Sequence, residues 1–314
     1  MKTAIIFPGQ GSQVAGMGQD VFDQYDSAKE VFLNADKALG QSLSSLCFNG
    51  PQEELNLTAN TQPALLATSA AIASVVRSLV PLDIICLAGH SLGEYTALWF
   101  ADAFELPLAL KLVRLRGEAM QAATPSGVGA MAAVIGLDDT AIEQICRQAA
   151  QGEVLAAANF NADGQTVISG HKSAVERAII LAKEKGARKS LLLPVSAPFH
   201  CPLMEPAAKI MSDALKNSDI NPMKYPVICN VTALPMTNSS QKIREALVDQ
   251  ITAPVQWTSS VKKMADMGVE LFLEIGPGSV LTNLVKRITP DIKRFTISNI
   301  NDIKNFIDFY SLEN

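Results

Sequence analysis

Apolar and polar residues change their rhythm several times along this chain. A compact apolar run at residues 3–7 predicts a first strand, and residues 84–88 (Ile-Ile-Cys-Leu-Ala) predict another. Short unbroken runs of this kind suit strands covered on both faces. Residues 20–39 and 61–79 carry helical segments. The second is expected to open with Thr61 as its cap and Pro63 in the first turn, and its alanines suit close packing on a sheet. Further helices are predicted at 94–100 and 107–122. From residue 126 the rhythm changes, predicting strand 129–135, helix 138–150, strands 154–160 and 166–169, helix 173–185 and strand 187–195. That βαββαβ order is a ferredoxin-like unit. A helix at 240–250, another after Trp257, a strand at 269–275 and a helix at 280–288 complete the pattern.

Between the apolar run at 84–88 and the helix that follows lies Gly89-His90-Ser91-Leu92-Gly93. Strand, G-x-S-x-G and helix together make the context of a nucleophile elbow. Such a bend brings strand and helix so close that side chains two before and two after the serine would collide. It would raise the Ser91 hydroxyl at a helix N-terminus whose free N–H groups can stabilise an oxyanion. A plainer reading has Ser91 and Glu94 forming a capping box that only starts the helix. The fold class expected is therefore α/β: an α/β-hydrolase-like large domain with a parallel sheet (residues 1–125 and 197–314) plus an inserted ferredoxin-like small subdomain (126–196). A cleft between the two is the expected ligand site.

Composition narrows the function. The chain has 314 residues, 48% of them hydrophobic and 18% charged, which fits a compact protein with a large core. A net charge of −5 argues against nucleic acid as a partner. No apolar run approaches the roughly 18 residues of a membrane span, and Pro8-Gly9 ends the short apolar start that a signal peptide would have to extend. The 5 cysteines are scattered without C-x-x-C spacing, which fits reduced thiols and a cytoplasmic location with no zinc site. The glycines after residue 8 read GQGSQVAGMG. They lack the dinucleotide-binding order, and suit either a plain turn or a loop that lets backbone or the Gln10 amide approach a ligand.

A serine nucleophile needs a base, and the chain has 3 histidines. His90 lies inside the elbow and should point away from the hydroxyl. His171 sits in a turn of the inserted unit and is expected at the surface. His200, pinned between Pro198 and Pro202, remains as the candidate base. Arg116 shares an apolar helical stripe with Leu112 and Met120 and has no local carboxylate, whereas Arg114 has Glu118 one turn on. An inward arginine needs an anion, which could be a distant structural carboxylate or the carboxylate of a substrate.

These stretches together resemble a known family. FPGQGSQ at 7–13, TQPAL at 61–65, GHSLGEYTAL at 89–98, Arg116-Gly117, GAMAAVIGL at 129–137, VSAPFHCPLM at 195–204, PVQW at 254–257 and EIGPGSVL at 274–281 are similar to the malonyl-CoA:acyl carrier protein transacylases of bacterial fatty acid synthesis. The acyltransferase domains of polyketide synthases share the pattern. The resemblance runs essentially the whole chain and implies the following roles. Ser91 would be the nucleophile and His200 its base, with the Gln250 carbonyl orienting the imidazole. The Gln10 and Leu92 N–H groups would form the oxyanion hole. Arg116 would hold the malonyl carboxylate, and Met120 and Phe199 would line the acyl pocket. It further implies a cytoplasmic monomer that needs no metal or redox cofactor, with malonyl-CoA as substrate. An acidic acyl carrier protein would dock transiently, for which Lys183, Lys185, Arg188, Lys189, Lys286 and Arg287 are candidate contacts. A serine hydrolase or thioesterase, or an acyltransferase with another extender unit, would share much of this chemistry.

Overall fold

The computed structural model describes residues 1–195 and 197–313. Its strands in chain order are β1 (Lys2–Phe7), β2 (Asp83–Gly89), β3 (Gly129–Ile135), β4 (Leu155–Ala162), β5 (Gln165–His171), β6 (Lys189–Leu192), β7 (Leu271–Ile275) and β8 (Lys293–Ile297). They form two separate sheets. The first runs β2-β1-β7-β8 and is wholly parallel. The second runs β4-β5-β3-β6 and is wholly antiparallel.

Continuous apolar strands form the parallel sheet because both its faces are covered. Successive residues of β1 enter different cores. Ile5 and Phe7 pack with the helices Asp26–Leu39, Thr58–Leu79 and Leu106–Ala122, while Ala4 and Ile6 pack with Trp257, Val261 and Leu284 on the other side. β7 lies between β1 and β8, and all of its residues are buried.

The antiparallel sheet alternates instead. Ala132 and Val134 face Ile142, Ile145 and Val175 on the helices Asp139–Ala150 and Lys172–Glu184. Met131 and Val167 turn toward the core of the parallel sheet. Asp138 starts the first of these helices by accepting the Ala141 N–H at 2.8 Å. Two backbone bonds join the sheets' territories: Phe160 N–H to the Val255 carbonyl (3.0 Å) and Val255 N–H to the Ala158 carbonyl (2.9 Å). Ser196, expected to close the inserted unit, lies outside the described residues.

Two helix expectations change. Residues 20–39 are not one helix but Gln19–Gln24 and Asp26–Leu39, because Tyr25 is extended (φ −125°, ψ 124°) and Asp26 opens a new first turn. Thr61 is not a cap. The helix begins at Thr58, and the Thr61 hydroxyl donates back to the Leu55 and Leu57 carbonyls at 2.6 and 3.1 Å. Pro63 consequently sits inside the helix.

Between β2 and the helix Gly93–Phe100 the chain has only His90, Ser91 and Leu92 to turn with. A Cβ on Gly89 would lie 1.9 Å from the Gly93 carbonyl group, and one on Gly93 would lie 2.3 Å from the Phe7 carbonyl oxygen. Neither neighbour can yield, since both are backbone. Gly93→Ala should therefore lower the unfolding free energy by about 3 kcal/mol or more. Urea denaturation measures it, and an unchanged midpoint would show that the close approach is not needed.

Candidate active site

The bend at Ser91 is strained and held from both sides. Its φ is 54°, in the left-handed region that side chains disfavour. Ser91 N–H donates to Asn230 Oδ1 at 2.8 Å, and the Ser91 carbonyl accepts from Gln250 Nε2 at 2.9 Å. Asn230 is anchored in turn by its Nδ2 donating to the Gly89 carbonyl at 2.7 Å. The hydroxyl that results stands 2.8 Å from His200 Nε2 and accepts from Arg116 Nη2 at 3.1 Å.

His200 comes from the loop before the short turn Pro202–Met204, and its own φ is 57°. Its Nδ1 lies 2.8 Å from the Gln250 carbonyl oxygen. A carbonyl only accepts, so Nδ1 carries the proton and Nε2 presents a lone pair to the Ser91 hydroxyl. Burial first, and the Arg116 charge second, lower the imidazole from its ordinary 6.5 to about 3. His200 is therefore a neutral base at rest.

Arg116 is 1% exposed. Among the described residues it makes no ion pair. Its Nη1 donates to Gln62 Oε1 at 2.8 Å, its Nη2 to Gln250 Oε1 at 2.7 Å as well as to Ser91, and its Nε has no partner. The structural carboxylate that could have satisfied it is thus absent from direct contact, and neutral amides take its place. Arg114, by contrast, donates to Asn60 Oδ1 at 2.6 Å rather than pairing with Glu118.

Glu94 does not close a capping box. One carboxylate oxygen accepts Asn230 N–H at 2.7 Å and the other accepts Gln250 Nε2. Burial pushes this carboxyl upward, opposed by those two donors and by Arg116. Both neighbours are donors, so a protonated Glu94 would aim its O–H at a hydrogen; the ionised form fits the contacts.

Ser91, His200, Arg116, Met120, Phe199 and Leu92 border one cavity of about 120 Å³, and Gln10 completes its mouth. The Gln10 side chain turns away to Thr58 Oγ1 at 3.2 Å, and among the described residues neither the Gln10 nor the Leu92 N–H donates to another protein group. Those two amides can receive an oxyanion. Gln250 lies beneath the cavity rather than in its wall, fully buried. The far wall comes from the antiparallel sheet and its exit, with Met131, Asn159, Leu193 and Val195.

The remaining histidines have other partners, although His90 also borders the cavity. His90 Nε2 meets Asn161 Oδ1 at 2.9 Å, and half-buried His171 accepts Val154 N–H at 2.9 Å through Nδ1. Cys201 is buried, its thiol donates to the Pro198 carbonyl at 3.2 Å, and burial raises its pKa. Sequence reasoning missed Gln62, the side chain of Gln250, Glu94's real partners and Asn230. A glutamine inside an otherwise alanine- and leucine-rich helix was a signal for Gln62. Asn230 lies in an irregular segment and offers none.

The chain matches the acyl transferase domain family over residues 4–308. It is 49% identical to a malonyl CoA-acyl carrier protein transacylase of Haemophilus influenzae over 306 residues, 97% of each chain. A crystal structure of an acyl carrier protein S-malonyltransferase from Vibrio cholerae superposes with a TM-score of 0.95 at 47% identity, covering 98% of this chain and 100% of that one. A malonyl-transacylase solved in complex with its type II PKS acyl-carrier protein superposes with a TM-score of 0.96 at 42% identity, again over 98% and 100%.

The neutral imidazole makes stability depend on pH. His200 stays unprotonated in the folded protein down to about pH 3, but takes a proton in the unfolded chain below 6.5. The unfolded state binds more protons in that window, so stability falls with falling pH, by about 1.4 kcal/mol per unit. His200→Gln removes this source. Between pH 7 and pH 5 the variant should lose about 2 kcal/mol less unfolding free energy than the wild type, read by urea titration at each pH. Equal losses would mean that the imidazole is not held neutral.

Proposed function

The chain belongs to the acyl transferase domain family and, within it, to the malonyl CoA-acyl carrier protein transacylases, and from that membership we propose how its site carries out the transfer. It moves a malonyl group from CoA to an acyl carrier protein. The observation that carries the reading is the Ser91 hydroxyl set between a neutral His200 Nε2 at 2.8 Å and a buried Arg116 free of any ion pair among the described residues.

The reaction proceeds in two half-reactions through a serine ester. His200 Nε2 takes the Ser91 proton as Oγ attacks the thioester carbon. The Gln10 and Leu92 N–H groups receive the oxyanion. The intermediate collapses, the carbon–sulfur bond breaks, and the departing CoA sulfur takes the proton from His200. In the second half the phosphopantetheine thiol of the carrier gives its proton to His200, attacks the ester and expels Ser91 Oγ, which recovers a proton. The two thioesters are alike in energy, and a thiol is a better nucleophile than water. A base oriented by the Gln250 carbonyl, which stabilises imidazolium less than a carboxylate would, is adequate for that exchange. The steps balance with the serine, the imidazole and the two thiols alone.

Arg116 supplies selection. In a small, largely apolar cavity its guanidinium receives the free malonyl carboxylate, and an acetyl group would leave that charge unanswered. Met120 and Phe199 bound the acyl chain. The parallel unit is read as α/β-hydrolase-like and the antiparallel one, residues 126–196, as an inserted ferredoxin-like subdomain. Exposed Lys183, Lys185, Arg188, Lys189, Lys286 and Arg287 offer positive charge to an acidic carrier. We assign the enzyme to fatty acid synthesis as a cytoplasmic monomer; no helix among the described residues is long and apolar enough to cross a membrane.

Intact mass after brief exposure to malonyl-CoA tests the reading. Wild type should gain one malonyl group, Ser91→Ala none, and with no carrier present the ester should persist. Rapid multiple-turnover release of free malonate would make the protein a hydrolase instead. Arg116→Ala should lose malonyl transfer by several kcal/mol of transition-state stabilisation, on the order of a hundredfold or more in rate, while acetyl transfer suffers less. Equal losses for both acyl groups would refute the clamp.

A further inference from the structure

Gln250 is expected to act through its backbone carbonyl, yet its side chain makes three contacts of its own around the reacting groups. Oε1 accepts from Arg116 Nη2 at 2.7 Å, while Nε2 donates to the Ser91 carbonyl at 2.9 Å and to Glu94. Main chain and side chain of one residue thus tie together the base, the arginine and the peptide of the nucleophile. Such a hub works in one amide orientation only. Turned over, it would set its nitrogen against the Arg116 donors and its oxygen against both the Ser91 carbonyl and the Glu94 carboxylate, three contacts of like with like.

We propose that Glu94 is a positioning residue of malonyl transfer: its buried carboxylate fixes the Gln250 amide in the working orientation and gives Arg116 a counter-charge one amide away. The inference rests on the reading of Arg116 as the partner of the malonyl carboxylate. Glu94 and Gln250 are both 0% exposed, so water cannot substitute for either contact. The carboxylate offers two acceptors to two donors that approach separately, Asn230 N–H and Gln250 Nε2. No side chain of the same shape can do this. A glutamine at 94 must show its NH2 to one of them, and an unmatched buried donor is costly.

The charge has a second consequence. His200 is faced by Arg116, by His90 and by the Ser91 hydroxyl, and the Glu94 carboxylate is joined to Arg116 through the Gln250 amide, whose residue also holds the imidazole by its carbonyl. Removing that anion raises the positive potential where an imidazolium must form during each half-reaction. It does nothing to weaken the attraction of Arg116 for a carboxylate. Rate and substrate affinity should therefore part company, whereas a glutamate that merely supported the fold would damage both.

The test compares Glu94→Gln with wild type in two measurements, the saturating rate of Ser91 malonylation by rapid-quench intact mass, and the dissociation constant of malonyl-CoA on a Ser91→Ala background. The expected result is a rate lower by about a hundredfold with affinity unchanged or tighter. A rate within about threefold of wild type, or parallel loss of rate and affinity in a protein that melts normally, would overturn the proposal. Should Glu94→Gln not fold, Glu94→Asp carries the same comparison: it keeps the charge but shortens the reach to Gln250, and the same pair of outcomes decides. Failure of wild type to acquire a malonyl group, or an affinity indifferent to Arg116→Ala, would instead sink the underlying reading of the site.

Discussion

A guanidinium buried without a carboxylate against it sets the terms for everything around it. Stripping an arginine of water costs several kcal/mol, and an ordinary interior answers with an ion pair. Here the answer is distributed over neutral oxygens of Gln62, Gln250 and Ser91, with Glu94 held back behind Gln250. That arrangement satisfies most of the donors without cancelling the charge, which stays available to a ligand. It also requires two helices to approach closely. A Cβ on Gly117 would lie 2.6 Å from the Thr58 carbonyl oxygen, so the arginine's helix can press against Thr58–Leu79 only because position 117 has none, and Gln62 comes within reach as a result.

The reacting pair stands on strained backbone. Ser91 and His200 both adopt positive φ, each a local cost of about 1 kcal/mol or more that surrounding contacts must offset. For Ser91 those contacts are Asn230 and Gln250, one on each side of the residue. For His200 they are the flanking prolines and the Gln250 carbonyl. Gln250 serves both, and Asn230 is itself tied to Gly89 and Glu94, so the geometry at Oγ is fixed by a few residues drawn from distant stretches of chain.

That dispersion explains what could be read from the sequence. β1, β2 and β7 were legible because burial leaves a near-continuous apolar run, and the elbow because sterics forces glycine at fixed distances from the serine; β8, an edge strand reading Lys-Arg-Phe-Thr-Ile and mostly half-buried, carries no such run and was not foreseen. Five of the six elements of the antiparallel unit were legible to within two residues at each end, since its helices are amphipathic and Asp138 marks the start of one, but the last strand, expected over 187–195, is only Lys189–Leu192. The break at Tyr25 and the early start at Thr58 were not: Tyr25 leaves the helix through extended backbone, and the Thr61 hydroxyl turns back to the Leu55 and Leu57 carbonyls instead of capping, neither of which apolar spacing encodes. Ser91, Arg116 and His200 could be singled out by chemistry alone, but the roles of Gln250, Gln10, Leu92, Met120 and Phe199 came only through family resemblance. Glu94 was visible and misdirected: a glutamate three residues after a serine suggests a capping box, whereas its carboxylate turns inward to Asn230 and Gln250.

The placement of the second sheet suits the selection by charge proposed for Arg116. Its contribution to the cavity is Met131, Asn159, Leu193 and Val195, three apolar side chains and one neutral amide. None of them competes with a ligand carboxylate for Arg116, and together they keep the surroundings of low polarity, where an ion pair is strong and an unanswered charge is costly. The same low polarity keeps His200 neutral, so among the described residues Arg116 is the cation that touches the hydroxyl. On the proposed reading of Arg116, an acyl group with its own carboxylate would answer that charge and one without it would not, and discrimination would then be a property of the pocket's charge rather than of its shape.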